Sequence, residues 1–302
     1  MKAAELFATG APVISFEFFP PKTERGHESL LSTIAELKRL DPAFVSVTWG
    51  AGGSTRRRTV ELTIQIQQEL GVTSMAHMTC VGSTRAQIAE TLDRLHDAGV
   101  RNVLPLGGDL PDDYVRPEGG FDYANELVDF IRSEPRWAFD MPGACYPETH
   151  PSAPSADADL ENLARKVDAG VDWLITQLFF DNATFWSWLA EARSAGIDVP
   201  ILVGVMPIIS YEQLVRFCEI CEAVIPDRLG DALSACEGDP QAEAALGIAY
   251  AARQCEELLA GGVAGIHFYT LNQAPATRAI LAALQAGRPW ERAGEGTVSA
   301  AR

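Results

Sequence analysis

The sequence is poor in the features that mark several functional classes. It holds five histidines, no two of them spaced His-x-x-x-His, so a zinc hydrolase finds no support. Basic runs stop at Arg56-Arg57-Arg58, and 24 Lys and Arg against 41 Asp and Glu give a net charge of −17. That balance speaks against nucleic acid or an anionic membrane as a partner. No apolar run approaches the ~18 to 20 residues of a membrane span, and Met1-Lys2-Ala3-Ala4-Glu5 lacks the apolar core of a signal peptide. The six cysteines (Cys80, Cys145, Cys218, Cys221, Cys236, Cys255) form no framework, which suits a reducing compartment. A cytoplasmic protein is expected. Cys218-Glu219-Ile220-Cys221 lies within a helical stretch from Gln213 to Ala223 with no second pair, so no metal site is expected there.

What is present describes one large core. The chain has 302 residues, 47% of them hydrophobic, and a mean hydropathy near zero, ordinary for an α/β barrel. One junction recurs: an amphipathic helix ends at Gly, and a short apolar strand follows. It stands at Gly71-Val72, Gly99-Val100, Gly170-Val171, Gly196-Ile197 and Gly262-Val263. The pattern predicts strands at about 13–19, 44–49, 73–79, 101–107, 138–146, 172–180, 200–206 and 264–270, with helices between them. Strict alternation over eight units predicts a single-domain (β/α)8 TIM barrel over 13–286. A short extension (1–12) precedes it, extra loop or helix fills 223–247, and a flexible tail is expected over 287–302.

The active face of such a barrel lies at the C-terminal strand ends, where this sequence collects its unusual polar residues. Glu17 ends the first strand, Thr48 the second and His77 the third. Gly107-Gly108-Asp109 follows the fourth, Tyr146 and His150 the fifth, with Gln177 on the sixth and Tyr269 on the eighth. Within Ser15-Phe16-Glu17-Phe18-Phe19-Pro20-Pro21, period-2 alternation points Glu17 away from the layer that Phe16 and Phe18 join. Burial would raise the pKa of such a carboxyl and make it a proton donor; a salt-bridged strand-end Glu is the alternative.

Two segments bear on nucleotide binding. Gly50-Ala51-Gly52-Gly53-Ser54-Thr55 lacks the third glycine of a dinucleotide loop and reads as a tight turn. Asp159 and Asn162, capping-type residues at a helix start with Arg165 and Lys166 one turn on, could hold a diphosphate. An ordinary solvated helix carries the same residues.

Ser15 to Pro21, Val47-Thr48-Trp49-Gly50-Ala51, Gly108-Asp109, Tyr146-Pro147-Glu148-Thr149-His150-Pro151, Ile175 to Asp181 and His267-Phe268-Tyr269-Thr270-Leu271-Asn272 resemble, in order, the motifs of the bacterial methylenetetrahydrofolate reductase family. The resemblance covers about residues 13–285. It implies an FAD-containing barrel that uses NADH or NADPH to convert 5,10-methylenetetrahydrofolate to 5-methyltetrahydrofolate for methionine biosynthesis, working as a homo-oligomer. By the same resemblance Glu17 is the general acid, Asp109 lies near the flavin ring and binds the pterin, and Gln177 binds the pterin. Thr48, His77, Gly108, Tyr123, Ala124, Tyr146, His150, Asp159, Asn162, Arg165 and Lys166 match FAD contacts, and Tyr211 matches an aromatic that stacks on substrate or nicotinamide.

Two positions depart from the family pattern. Gly107 stands where many members carry Arg beside the flavin, and Gln273 where many carry Arg toward the folate. The alternatives are another flavin-barrel oxidoreductase, a variant that has lost FAD, or a non-catalytic folate-binding subunit. Intact Glu17, Asp109 and Gln177 argue against simple binding, and intact His150, Arg165 and Lys166 against loss of flavin.

Overall fold

The computed structural model describes residues 1–50, 55–108, 115 and 117–294. Among them eight strands form one sheet: β1 (Val13–Phe18), β2 (Phe44–Val47), β3 (Ser74–Thr79), β4 (Asn102–Leu106), β5 (Pro142–Cys145), β6 (Trp173–Thr176), β7 (Ile201–Val205) and β8 (Gly265–Tyr269). Their order is β4-β3-β2-β1-β8-β7-β6-β5, and the paired neighbours run parallel. A parallel bridge between Asn102 and Asp140 joins the two ends, giving the expected (β/α)8 barrel. The five helix-to-strand glycines all have left-handed backbones, φ from 61° at Gly71 to 111° at Gly170, which is why only this residue type recurs there.

The outer ring is α1 (Glu24–Lys38), α2 (Arg56–Gln65), α3 (Arg85–Asp97), α4 (Ala124–Ser133), α5 (Ala156–Asp168), α6 (Asn182–Ser194), α7 (Tyr211–Cys221), α8 (Asp227–Ser234), α9 (Pro240–Ala260) and α10 (Pro275–Gly287). The stretch 223–247 is thus helical in α8 and the start of α9. β6 is shorter than its apolar run predicts, because Phe179 and Phe180 leave the ladder. Phe179 stacks on Phe185 of α6 with ring centroids 5.4 Å apart.

Alternation along the strands divides the core in two. Phe16, Phe18, Val45, Val47, Ala76 and Met78 face the helices, whereas Val13, Phe44, Met75, Leu104, Trp173, Ile175 and Leu202 fill the barrel's interior. Ser15 and Glu17 share that inward face, as the period predicts.

The extension before β1 closes the barrel's lower end. Ala3–Thr9 form a 3-10 helix whose Ala3 N–H donates to Asn102 Oδ1 (2.8 Å) and Ala4 N–H to Asp140 Oδ2 (2.9 Å). Phe7 meets the Trp173 ring edge-on at 5.3 Å, and Trp173 Nε1 donates to Asp140 Oδ2 (3.0 Å). At the other end of the chain the expected flexible tail is in part ordered. Pro289–Gly294 form a 3-10 helix whose Trp290 packs against the main core, since an indole at that position covers more apolar surface docked than free; residues 295–302 lie outside those described.

Asp140 gives a pH-dependent prediction. Burial raises its pKa to about 6; hydrogen bonds from Trp173 and Ala4 work against that shift, and neighbouring Asp172 adds to it. A raised folded-state pKa contributes stability that is present below about 3.8 and lost as pH rises through 6. Asp140→Asn keeps an acceptor for Ala4 and Trp173 and offers Asp172 a donor. At pH 8 it should be more stable than the parent by about 1–2 kcal/mol, with the gain vanishing near pH 4. Urea midpoints at the two pH values measure this, and an equal shift at both would assign the effect to packing.

Candidate active site

Glu17 sits at the upper end of the barrel interior, 7% exposed, between two histidines brought from distant strands. His77 Nε2 of β3 and His267 Nε2 of β8 each lie 3.3 Å from Glu17 Oε2. The His267 contact is a hydrogen bond, whereas His77 is within ion-pair reach but off line for one. On its far side His267 Nδ1 meets Ser15 Oγ at 2.7 Å, and Ser46 Oγ donates to Glu17 Oε2 at 3.4 Å. The His267 ring is held by Phe44, stacked at 5.9 Å, and by Tyr269, edge-on at 5.4 Å.

This geometry reverses the expected sign of the Glu17 shift. Burial raises its pKa, but the charge of His77 and the hydrogen bond of His267 outweigh burial and hold the carboxyl down at about 2. Glu17 is therefore an anion in the resting site. The two imidazole rings thus converge on one carboxylate oxygen, Glu17 Oε2.

The cluster opens into a chamber of about 180 Å³ lined by Glu17, His77, Leu106, Tyr146, Gln177 and Tyr269, among others. Gln177 is fixed there through its backbone, N–H to Cys145 O at 2.7 Å. Leu106, Ala144 and Tyr146 are shared with a larger cleft of about 470 Å³. That cleft lies where β4 and β5 diverge above the Asn102–Asp140 bridge, so an imperfect seam in the barrel creates it.

Gly107, Tyr123, Ala124, Tyr146, His150, Asp159, Asn162, Arg165 and Lys166 all line the cleft. A Cβ at Gly107 would have nothing within 4 Å, so the position is open to a larger side chain. Gly108 has φ 88°, and a Cβ there would come within 2.8 Å of Thr79. Tyr146 and His150 pack edge-to-face at 4.5 Å, and the His150 N–H donates to Asp159 Oδ2 at 2.9 Å.

Asp159 and Asn162 do not cap the helix, contrary to expectation. Ser155 is the cap, its Oγ accepting from Ala158 N–H, so Asp159 and Asn162 are helical and line the cleft from the side of α5. Lys166 Nζ donates to Ala144 O at 2.7 Å, and burial pushes its pKa down. Arg165 is exposed and bonds Asn162 Oδ1 at 2.6 Å.

Thr48, Tyr211 and Gln273 line neither cavity. Thr48 donates its N–H to Phe18 O at the top of β2, and Tyr211 opens α7 within a satellite apolar cluster. Gln273 is exposed in the turn after β8. Asp109 lies outside the described residues, as do positions 51–54 of the Gly-rich turn. Among the described residues no cluster of His, Cys, Asp and Glu could hold a metal ion, and all six cysteines are free. Reading the sequence by strand ends missed His267, Ser15 and Ser46. Inward alternation with Glu17 was the available signal for Ser15.

A carboxylate between two imidazoles at the mouth, beside a cleft lined by Arg165 and Lys166, defines a (β/α)8 barrel with its polar site at the C-terminal strand ends. The chain belongs to the methylenetetrahydrofolate reductase family, whose model matches residues 2–285. It is 37% identical over 267 residues to 5,10-methylenetetrahydrofolate reductase of Escherichia coli (strain K12), covering 88% of each chain. It is 40% identical over 275 residues to methylenetetrahydrofolate reductase (NADH) 1 of Arabidopsis thaliana, aligning 87% of this chain with 46% of that one. The chain thus spans about half the length of the plant relatives it matches. Among solved structures, an uncharacterized protein from Clostridium thermocellum that binds two copies of 5-methyl-5,6,7,8-tetrahydrofolic acid superposes with a TM-score of 0.64 over 94% of this chain and 97% of that one. At 14% identity that likeness shows the fold.

Proposed function

We propose that this chain reduces 5,10-methylenetetrahydrofolate to 5-methyltetrahydrofolate at the expense of NADH or NADPH, with FAD as its cofactor, and so supplies methyl groups for methionine biosynthesis. The observation that carries this reading is the Glu17–His77–His267 cluster facing a chamber that also presents Gln177. Opening the five-membered ring of the folate requires a proton at a nitrogen that otherwise leaves poorly. Glu17 and His77 line the chamber where that nitrogen would lie, and the Gln177 amide can both donate to and accept from a pterin.

The donor set of the larger cleft fits FAD. Arg165 and Lys166 would hold its diphosphate, His150, Asp159 and Asn162 the adjoining polar groups, and Tyr146 stands where cleft and chamber meet. Bound there, FAD supplies the hydride relay between nicotinamide and the one-carbon unit. Asp109, which follows β4 in the sequence, completes the reading as the group between flavin and pterin. Gln273 offers the folate a neutral contact, and Thr48 and Tyr211 are assigned to flavin and to the stacked substrate. Six cysteines free of disulfides fit a cytoplasmic enzyme.

The test is the absorbance spectrum of the purified protein followed by turnover. Flavin bands at about one per chain, bleached by NADH or NADPH and restored by methylenetetrahydrofolate, are expected. A colourless protein that cannot be reconstituted with FAD overturns the cofactor assignment. A flavoprotein that methylenetetrahydrofolate cannot reoxidise overturns the substrate.

A further inference from the structure

The top of the β6–β7 seam is held by a side chain from a third strand. Ladder pairing between β6 and β7 covers Leu174↔Ile201 and Ile175↔Leu202 and stops there. Thr176, fully buried, is the next residue, and its backbone carbonyl faces the cost of an unmet buried acceptor. Two bonds replace the missing rungs. The Gly204 N–H donates to Thr176 Oγ1 at 2.9 Å, and the Tyr269 hydroxyl, reaching over from β8, donates to Thr176 O at 2.6 Å.

The strand between them must be Gly at that point. A Cβ on Gly204 would lie 2.6 Å from the Tyr269 ring and hydroxyl and 2.3 Å from Thr176 O. The glycine leaves the channel through which the tyrosine crosses. The same ring packs edge-on against His267 and lines the chamber, and its Cα is in register with Glu17 on β1. Tyr269 thus touches the proton-holding cluster at one end and, at the other, the residue immediately before Gln177.

We propose that Tyr269, seated over Gly204, is a positioning residue that fixes the distance between the Glu17–His267 pair on β1 and β8 and the folate-orienting Gln177 just past the end of β6. The proposal rests on the functional reading above for the identity of the ligand and on the barrel geometry alone for the strut. A bicyclic ring held by Gln177 at one end must present its ring nitrogen to the cluster at the other. A shift of the Thr176–Gln177 peptide moves the whole molecule relative to its proton source. Gln177 is already bonded to β5 on one side; Tyr269 supplies the restraint on the other.

The experiment compares Tyr269→Phe and Gly204→Ala with the parent enzyme. Tyr269→Phe keeps the ring against His267 and removes only the hydroxyl. It should slow reoxidation by saturating methylenetetrahydrofolate about tenfold, the effect of losing one buried hydrogen bond, with a much smaller change in KM and in reduction by NADH or NADPH. Gly204→Ala, which pushes the same ring from its seat, should reproduce that split. Crystal structures of both variants should show the Thr176–Gln177 peptide displaced from its parent position. If Gly204→Ala fails to fold, Tyr269→Phe decides alone. An unmoved Gln177 with an unchanged rate of reoxidation by methylenetetrahydrofolate overturns the strut, and so does an equal fall in both half-reactions, which marks a merely structural role. A parent enzyme inert toward methylenetetrahydrofolate is a failure of the functional reading, and the displaced or unmoved peptide then decides the strut by itself.

Discussion

Replacing Glu17 by Gln should slow reoxidation of the reduced enzyme by methylenetetrahydrofolate by about 10² or more, the usual worth of general acid catalysis, while reduction by NADH survives. Hydride delivery from a nicotinamide needs stacking and orientation but no protein acid, whereas opening the folate ring needs a proton. Among the described residues Glu17 is the only carboxylate within 4 Å of both His77 and His267, and the proposed function routes the proton through it. Gln preserves the shape and a single hydrogen bond but cannot carry the proton across. Stopped-flow absorbance separates the two half-reactions. Equal slowing of both would make Glu17 structural, and unchanged reoxidation would move the acid elsewhere. The lowered pKa has a stability counterpart: its contribution is present above pH 4.5 and lost as pH falls toward 2, a window that Glu17→Gln removes.

The second large effect is expected from Arg165→Ala combined with Lys166→Met. Two charge-assisted bonds to a diphosphate, each worth roughly 1.5–3 kcal/mol, imply that FAD affinity falls by about 10² to 10⁴. Met is chosen at 166 because the Lys stem packs beneath Gly143, whose absent Cβ would lie 3.0 Å from Lys166 Cδ, and that apolar contact must be kept. Flavin fluorescence on titration of the apoprotein reads the affinity, and far-UV circular dichroism confirms that the barrel is intact. Full retention of flavin would reassign Arg165 to a solvated helix face and Lys166 to its bond with Ala144 O.

The barrel was legible because its signals are local. A Gly that must adopt a positive φ at Gly71, Gly99, Gly170, Gly196 and Gly262 marks each helix-to-strand joint without help from the rest of the fold. The inward face of Glu17 was legible for the same reason, since alternation along a strand is a property of neighbours. The charge state of Glu17 was not. It depends on His267, 250 residues away in sequence, which lies on an inward position of β8 and carries no local mark of its partner. The start of α5 was misread because Ser155 and Asp159 are both good caps, and only the tertiary path of the chain selects Ser155. The role of the first nine residues was hidden likewise, because their partners Asn102 and Asp140 are far along the chain.

That N-terminal segment has a consequence for the chemistry above it. With Ala3–Thr9 seated under Asn102, Asp140 and Trp173, and an apolar layer of Phe44, Met75, Leu104 and Leu202 over them, the lower end of the barrel is stoppered. Water and hydrogen ions can then reach Glu17, His77 and His267 only by way of the mouth. A ligand covering that mouth turns the cluster into a sealed compartment, in which the number of hydrogen ions is fixed at the moment of closure and only their location can change.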